Sequence, residues 1–312
     1  MIISWLTGGL GNQMFQYAAG LALAEQRRTV LKLDVSWFRE DPAYEAHNRY
    51  ALSCFNITEQ FATQEEIDRV RGFPLTRTER WSVALARVLR LRAHVRRLTP
   101  TGRLHRPPGF GFYPEFHALP DRTYLEGMFQ SEKFFAPSAD LLRRHFSFRY
   151  PPTPAVAALA ERIRRGPSAA LHFRRGDYAR DPAFARRIGV VGLDYYRAAV
   201  RLLRERSPGA TLYLFSDDIE AVAREFRPEG PHEYIRDLGR GNDHDRIRLM
   251  SLCEHIAIAN STFSWWAAWL NPSPDKLVLA PAPWFADGAH DERDLVPETW
   301  MRLTRAGGAV PA

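Results

Sequence analysis

The chain has 312 residues and few of the side chains on which several protein classes depend. It contains two cysteines, Cys54 and Cys253, which are too few for a disulfide framework or a cysteine-rich metal site. We therefore expect both to be ordinary thiols. No stretch reaches the roughly 18 uninterrupted apolar residues that a membrane span requires. No basic segment precedes an apolar, signal-type region at the start of the sequence. These absences predict a cytoplasmic protein.

Lysine is also scarce, which gives the basic charge an unusual character. It occurs three times, so arginines make up 40 of the 43 basic side chains, and the formal net charge is +7. A guanidinium binds phosphate through two parallel N–H groups, whereas an ammonium acts as a point charge. Charge alone would permit a nucleic-acid partner. However, the sequence has no helix-turn-helix signature, zinc-finger spacing or aromatic–basic RNA motif, so we expect no nucleic-acid partner.

What the chain does contain is an alternation of strand-like and helix-like runs, which is typical of α/β proteins. The alternation becomes regular after 150–154, where clustered prolines interrupt both helices and strands. We predict an N-terminal domain over 1–150 and a second domain over 151–285 that is built on a doubly wound parallel sheet. The remaining segment, 286–312, is interpreted as a tail that could pack back on the first domain.

Polar clusters follow three predicted strands of the second domain. Ligands of a doubly wound sheet bind beyond the carboxyl ends of the strands, so we expect the clusters to share one edge. Arginines, hydroxyls and the N–H groups of a helix start form an anion site. The edge therefore predicts a pocket for a phosphorylated ligand. The clusters are His172, Arg174, Arg175 and Asp177; Ser216, Asp217 and Asp218; and Asn260, Ser261, Thr262 and Ser264.

Each cluster taken alone also fits a structural interpretation. Acids such as Asp218 and hydroxyls such as Ser261 commonly cap helices. His172 alone would fit a core histidine. An arginine on the edge needs a carboxylate to hold it, so we expect Asp177 to pair with Arg174 or its neighbour. It is the convergence of the three clusters that indicates ligand binding.

The N-terminal glycines permit a different hypothesis. Gly9 and Gly11 follow the first strand and Asp34 ends the second, which partly matches the dinucleotide fingerprint G-x-G-x-x-G. The third glycine position holds Met14, which would keep helix and strand apart. The two residues after Gly11 are polar where a dinucleotide turn needs bare backbone. The match to a dinucleotide site is therefore weak.

Six motifs occur in a fixed order: GGLGNQMFQYAAG, GMFQSEKFF, HFRRGDY, FSDD, LMSLCEH and IANSTFSWWAAWL. Together they closely resemble the bacterial α-1,2-fucosyltransferases of glycosyltransferase family 11, over about residues 3–285. The resemblance implies a GT-B-like α/β architecture with two Rossmann-like domains that face each other across a cleft. It also implies inverting, metal-independent transfer of L-fucose from GDP-β-L-fucose to the 2-hydroxyl of a terminal galactose, in surface glycan or O-antigen synthesis. No metal or other cofactor is expected.

The resemblance further assigns roles to residues. Arg174 would contact the β-phosphate, Asn12 would lie near the transferred sugar, and Asp177 would hold an arginine; these three form the expected catalytic set. The acceptor side of the cleft would be lined by the loop Gly9, Gly11, Asn12 and Gln13. The donor would be bound by His172, Arg174, Arg175, Asp218, Asp245, Asn260, Ser261, Thr262 and Ser264.

Two steps of the reaction have no clear residue in the sequence. Related enzymes place an acid that binds guanine a few residues before the LMSLC-like segment, but this chain has Arg246 there. Asp245 is the candidate carboxylate, and Asp218 is the reserve. No acid in the matched motifs is an obvious general base. The departing diphosphate could itself accept the proton.

Other function classes stay open beside the transferase. The partial fingerprint leaves an NAD(P)-dependent sugar-nucleotide oxidoreductase, although the chain lacks a Tyr-x-x-x-Lys pair; a spectrum of bound nicotinamide would support it. A catalytically silent glycan- or nucleotide-sugar-binding protein is the third class. Release of GDP in the presence of a galactoside distinguishes it from an enzyme.

A predicted helix at about 78–98 has an apolar side and many arginines on the other. Such a helix fits core packing with a solvated basic face. It also fits peripheral contact with an anionic membrane, at the inner face of the cell membrane. Sedimentation with anionic vesicles at low salt distinguishes the two interpretations.

Overall fold

Two units make up the chain, and each is built on its own parallel sheet. The computed structural model describes residues 1–40, 49–72, 103–176, 186–236, 238, 243–288 and 290–310. Unit 1 comprises Met1–Ser53 and Ile57–Phe146, and unit 2 comprises Cys54–Asn56 and Ser147–Ala312. The expected α/β class, with a parallel sheet in each half of the chain, is confirmed.

The sheet of unit 1 has the strand order β2-β1-β4-β3, and all of its neighbouring strands are parallel. Its strands are β1 Ile2–Trp5, β2 Leu31–Asp34, β3 Arg103–His105 and β4 Thr123–Leu125. Its helices are α1 Leu10–Gln26, α2 Trp37–Glu40, α3 Gln64–Arg71 and α4 Ala139–His145.

Helix α1 lies close against the first two strands. Most of its residues are buried, as its nearly continuous apolar sequence predicts. The close approach is made at Gly20, where an added Cβ would lie 2.8 Å from the Leu31 side chain and 3.1 Å from Ser4 Cβ. Helix and strand therefore meet at Gly20 and not at the third position of the dinucleotide fingerprint, where buried Met14 stands.

The sheet of unit 2 has the order β10-β9-β8-β5-β6-β7, again with parallel neighbours. Its strands are β5 Ser168–Phe173, β6 Thr211–Ser216, β7 His232–Tyr234, β8 His255–Ala257, β9 Val278–Ala282 and β10 Met301–Thr304. Its helices are α5 Pro154–Arg164, α6 Leu193–Arg206, α7 Ile219–Glu225, α8 Asp243–Leu252 and α9 Thr262–Leu270.

This order is the Rossmann arrangement, in which the first strand of the unit lies at the centre of the sheet. From β5 the chain builds β6 and β7 to one side and β8, β9 and β10 to the other. The direction therefore reverses between β5 and β8, and this is the topological switch point of the sheet. Every residue of β5 is buried, which agrees with its mostly apolar sequence.

The structure corrects two boundaries. The division falls between Phe146 and Ser147, before the proline-rich stretch and not within it. The interpretation of 286–312 as a tail on the first domain was wrong. Met301–Thr304 is a strand of the second sheet, paired with β9, and its Leu303 is buried in the core of unit 2.

The apolar periodicity of the sequence is weaker in the first half of the chain. Helix α3 and strand β3 were not predicted, because both are short and lie where the apolar periodicity is weak. The predicted basic helix at 78–98 lies outside the described residues. Among the helices that the structure describes, none combines the length and the apolar character that a membrane crossing needs.

Candidate functional site

The three polar clusters of unit 2 meet at one edge of its sheet. Strand β5 lies between β8 and β6, so the loops that follow these strands are neighbours. Phe173 at the end of β5 is in register with Ser216 at the end of β6. The loops after β5 and β8 flank the switch point, which is where open α/β sheets bind ligands.

The carboxylate of Asp217 makes several contacts to the turn after β5. Its Oδ1 accepts the backbone N–H of Arg175 at 2.9 Å, and its Oδ2 accepts that of Gly176 at 3.0 Å. The same Oδ2 lies 3.2 Å from Nη1 of Arg174. A Cβ on Gly176 would lie 2.7 Å from Oδ2, so only glycine leaves room for this contact. Arg174 is thus a partly exposed guanidinium held at the edge of the sheet.

The second arginine of the motif points elsewhere. Arg175 pairs with Glu225 at the end of α7. The expected partner of these arginines, Asp177, lies outside the described residues. The carboxylate that the structure shows on Arg174 is Asp217. The sequence predicted that Arg174 and Asp217 share one edge of the sheet, but it did not predict that they pair. They pair because β5 and β6 are adjacent strands.

His172 contributes a buried polar atom to this edge of the sheet. Its side chain is 4% exposed and its ring lies 5.8 Å from that of Phe263 on α9. Among the described residues, nothing hydrogen-bonds its buried Nδ1. Burial lowers the pKa of His172 to about 4 against the opposing charge of Asp217, and Arg174 and Arg246 lower it further. The imidazole is therefore neutral at physiological pH. A buried polar atom without a partner calls for one, and a ligand at this edge would provide it.

The start of α9 lies on the other side of the switch point. Ser261 is the residue before its first turn, and its side chain makes no capping hydrogen bond. The first N–H groups of a helix have no partners within the helix and carry partial positive charge. Thr262 is half-buried at this end. The start of α9 therefore has the properties of an anion site.

Ser264 and Asn260 were expected to contact the donor, and the structure gives both a role within the protein. Ser264 is fully buried, and its hydroxyl donates to the Ser261 carbonyl at 3.3 Å. A ligand therefore has no access to this hydroxyl.

Asn260 ties loops of unit 2 together. Its Nδ2 donates to the carbonyls of Ile188, Gly189 and Trp284 at 2.9–3.1 Å, and the residue is 1% exposed. Arg305 donates to two of the same carbonyls, those of Ile188 and Trp284. Asn260 therefore joins the loops behind this edge of the sheet, and its amide nitrogen is occupied by these carbonyls.

The candidate guanine carboxylate is also engaged. Asp245 is 2% exposed, and its Oδ1 lies 3.2 Å from Nε of Arg248 as an ion pair, although no described residue hydrogen-bonds either atom. Arg248 in turn lies 4.5 Å from the ring centroid of Phe148 and donates to the Tyr150 carbonyl at 2.6 Å. Asp245 thus neutralises an arginine that anchors the segment entering unit 2. Like Nδ1 of His172, Oδ1 of Asp245 is a buried polar atom without a hydrogen bond among the described residues, so its pairing with Arg248 does not exclude it as a ligand contact.

Asp218, the reserve candidate, caps α7. Its Oδ1 accepts the N–H of Ala221 at 3.2 Å, and its own N–H donates to the Ser216 hydroxyl at 3.0 Å. The capping interpretation therefore describes Asp218, whereas its neighbour Asp217 holds the arginine turn.

In unit 1, Gln13 fastens the loop after β1. Its Nε2 donates to the carbonyls of Gly8 and Arg49 at 2.8 and 2.9 Å. Its Oε1 accepts the N–H of Ala51 at 2.9 Å. The side chain is buried, so it acts on the shape of the loop and not on a ligand directly.

The other residues of the expected acceptor loop lie at the start of α1. Gly9 is exposed just before the helix, Gly11 is buried inside it, and Asn12 is half-buried. Gly8 adopts a φ of +69°, which favours glycine, and an added Cβ there would lie 2.7 Å from Nδ2 of Asn12. Asn12 is thus an accessible polar side chain of this loop.

Asp34 does not have the exposure that a ribose-binding acid requires. It is 2% exposed, and its carboxylate accepts the Tyr124 hydroxyl at 2.6 Å and the Ser36 N–H at 2.9 Å. This arrangement speaks against the dinucleotide hypothesis.

The described residues offer neither an ionised thiol nor a metal site. Both cysteines are buried and free. Burial raises the pKa of the Cys54 thiol to about 12 and also raises that of Cys253. Neither is a thiolate at neutral pH. The described ranges contain no group of three His, Cys, Asp or Glu side chains that could hold a metal ion.

Comparison with known proteins identifies the family. The profile of Glycosyl transferase family 11 matches residues 111–304, which is more than half of the chain. The chain belongs to glycosyltransferase family 11. The matched segment of this family 11 chain begins before β4 and ends with β10, so it contains the whole candidate anion site of unit 2.

Curated relatives of the family 11 chain match it over almost its entire length. An Escherichia coli protein named alpha-1,2-colitosyltransferase is 28% identical over 98% of this chain and 99% of its own. The E. coli O-antigen biosynthesis glycosyltransferase WbnK is 29% identical over 96% and 99%. Among solved structures, the fucosyltransferase NodZ from Bradyrhizobium is 15% identical, with a TM-score of 0.45, over 87% of this chain and 92% of NodZ.

Proposed function

We propose that this family 11 glycosyltransferase transfers L-fucose from GDP-β-L-fucose to the 2-hydroxyl of a terminal galactose, with inversion at the anomeric carbon. The observation that carries the proposal is the anion site at the switch point of unit 2. There the guanidinium of Arg174, held by Asp217, and the start of α9 follow neighbouring strands. The motifs of the chain and its family supply the identity of the donor.

The chemistry requires stabilisation of the charge that develops on the departing diphosphate. Arg174 would bind the β-phosphate, and the first N–H groups of α9 would bind from the other side of the switch point. Because both are already oriented by the fold, they stabilise the developing anion without reorganising during the reaction. We propose that this arrangement serves in place of a divalent metal ion.

His172 would complete the donor site without adding charge. A neutral imidazole with its hydrogen on Nδ1 can donate to an oxygen of the nucleotide. The low pKa of His172 keeps it in this neutral form at physiological pH. Its buried Nδ1, which no described residue hydrogen-bonds, supports this role.

On the acceptor side, the 2-oxygen of galactose bonds to C1 of fucose while the bond from C1 to the diphosphate oxygen breaks. We assign Asn12 to this side, because it is accessible at the carboxyl end of β1. No described acid of the matched motifs is placed as a general base. Since inversion places the diphosphate on the opposite face of C1, we propose that the proton of the acceptor hydroxyl reaches it through solvent.

Transfer assays with Arg174→Ala test the proposal. Loss of one preorganised donor at an anionic transition state costs about 100- to 1,000-fold in turnover, and we expect a loss of that size. The matched control is Arg162→Ala, which removes an exposed arginine paired with Glu233. Wild-type activity should persist in EDTA. Near-normal turnover of Arg174→Ala, or a strict requirement for Mn²⁺, would contradict the arginine mechanism.

A second donor is supported by one specific observation. The relative that matches 98% of this chain is named for transfer of colitose. Colitose is L-fucose without its 3-hydroxyl, so the same anion site would serve either GDP-sugar. Parallel assays with GDP-fucose and GDP-colitose distinguish them. A preference of tenfold or more in kcat/KM, equal to about 1.4 kcal/mol, assigns the donor.

A further inference from the structure

The sheet of unit 1 has a switch point of its own. From β1 the chain passes through α1 to β2 on one side, whereas β4 lies on the other side of β1. The reversal therefore falls between β1 and β4. The first turn of α1, which follows the loop after β1, carries Asn12, and the turn after β4, Gly127–Gln130, begins the motif GMFQSEKFF. The proposed function gives that motif no role so far.

A hydrogen bond joins the two loops across this switch point. Nε2 of Gln130 donates to Oδ1 of Asn12 at 3.1 Å, and Gln130 is 7% exposed. Nδ2 of Asn12 lies above Gly8, where an added Cβ would approach it to 2.7 Å. Because Oδ1 accepts from Gln130, the orientation of the Asn12 amide is set by the turn after β4.

The turn itself has a strained backbone. Phe129 has a φ of +50°, in the left-handed region that bulky residues rarely adopt. Its ring is buried against Phe116 and Phe134, with centroids 5.6 and 5.4 Å away. A Cβ at Gly127 would lie 2.6 Å from the ring of Pro107, so this end of the turn is also held. Such conformations persist where the surroundings impose them, and they concentrate at ligand sites.

The strained conformation leaves Met128 exposed. Its side chain is 36% exposed, and its sulfur lies 3.8 Å from Nε2 of Gln16. The same amide of Gln16 also bonds the backbone and hydroxyl of Thr7 in the loop after β1. The apolar thioether of Met128 and the oriented amide of Asn12 therefore both lie beside this switch point. A pyranose ring offers one apolar C–H face and a rim of hydroxyls, which match these two groups.

We propose that the turn Gly127–Gln130 is part of the acceptor site. Met128 contacts the apolar face of the galactose ring. Gln130 is a positioning residue that orients the amide of Asn12 toward an acceptor hydroxyl. The inference rests on the proposed function, in which unit 1 binds the galactoside.

Acceptor kinetics of Met128→Ala and Gln130→Ala test this inference, with lactose as the probe and GDP-fucose at saturation. We expect each variant to raise the KM for lactose about fivefold or more, and Gln130→Ala also to lower kcat, because oriented contacts to the reacting sugar are lost. The affinity for GDP, measured by calorimetry, should change less than twofold. Matched controls are Met301→Ala, an exposed methionine on β10, and Gln26→Ala at the far end of α1.

A double variant separates positioning from folding. If Gln130 acts through Asn12, the variant Asn12→Ala/Gln130→Ala should be no slower than Asn12→Ala alone, because residues that share one interaction are not additive. Additive losses would overturn the positioning role. An unchanged KM for lactose in both single variants would overturn the site assignment while leaving the proposed function intact.

If the wild type transfers no fucose to any galactoside, the proposed function fails, and the inference is then judged by binding. Saturation-transfer NMR with lactose supports the site if Met128→Ala and Gln130→Ala lose a signal that the wild type gives. It overturns the site if the wild type gives none, or if the variants keep it.

Discussion

The substitution Asp217→Asn examines how the fold supports the proposed catalytic arginine. Asparagine has the same shape as aspartate but retains one acceptor oxygen. If that oxygen stays on the N–H of Arg175, the new amide N–H₂ faces two donors, the N–H of Gly176 and Nη1 of Arg174. The change therefore removes the charge opposite Arg174 and leaves donors facing donors.

The expected magnitude follows from these contacts. A hydrogen bond to a charged group contributes about 1.5–3 kcal/mol. Arg174 and Asp217 are 29% and 23% exposed, so solvent screening reduces the contribution toward the lower end of that range. Since about 1.4 kcal/mol is a factor of ten, we expect kcat/KM for GDP-fucose to fall about 10- to 50-fold.

The assay combines steady-state GDP release, calorimetric affinity for GDP and the melting temperature. Gly176→Ala provides an independent variant, since its Cβ would displace the Asp217 carboxylate, and it should reduce kcat/KM to a similar extent. The matched control is Glu225→Gln, which neutralises the half-exposed partner of Arg175. If Asp217→Asn keeps both kcat/KM and GDP affinity within twofold of wild type, Asp217 does not position Arg174.

Two further predictions concern buried titratable side chains of unit 2. Asp245→Asn leaves the guanidinium of Arg248 buried without a counterion, so we expect unfolding free energy to fall by roughly 3 kcal/mol with unchanged GDP affinity; lost affinity at an unchanged melting temperature would instead place Asp245 on the base. Burial lowers the pKa of His172 to about 4, below its ordinary value of 6.5. Between these two pH values His172 is protonated in the unfolded chain and neutral in the folded chain. Stability should therefore fall between pH 6.5 and 4, by about 1.4 kcal/mol at pH 5.5. Denaturant titrations of wild type and His172→Phe, which keeps a ring against Phe263, test this: equal losses on acidification would show that His172 is not responsible.

Much of unit 2 could be predicted from the sequence, because local signals there are strong. The parallel sheet of the second domain was predicted from strand-like runs that alternate with helix-like runs. The sharing of one edge by three loops followed from the rule for parallel sheets. Short elements such as β3 and β10 were missed, because three or four residues carry little periodicity.

The site residues could also be predicted only in part from the sequence. Residue type identified Arg174 and His172 as candidates for an anionic ligand, since few side chains combine charge with the end of a buried strand. It could not distinguish ligand contacts from internal ones. Ser264, Asn260 and Asp245 have suitable chemistry, but each is buried against other parts of unit 2.

By itself the sequence determined the fold class and the family, because these depend on local periodicity and on motifs that survive as strings of residues. Only the tertiary structure decided which residues of the sites contact each other. Asp217 follows Arg174 by more than forty residues, and Gln130 follows Asn12 by more than a hundred. Each pair meets because two parallel strands are neighbours in a sheet, and strand order is a property of long-range packing that no local pattern encodes.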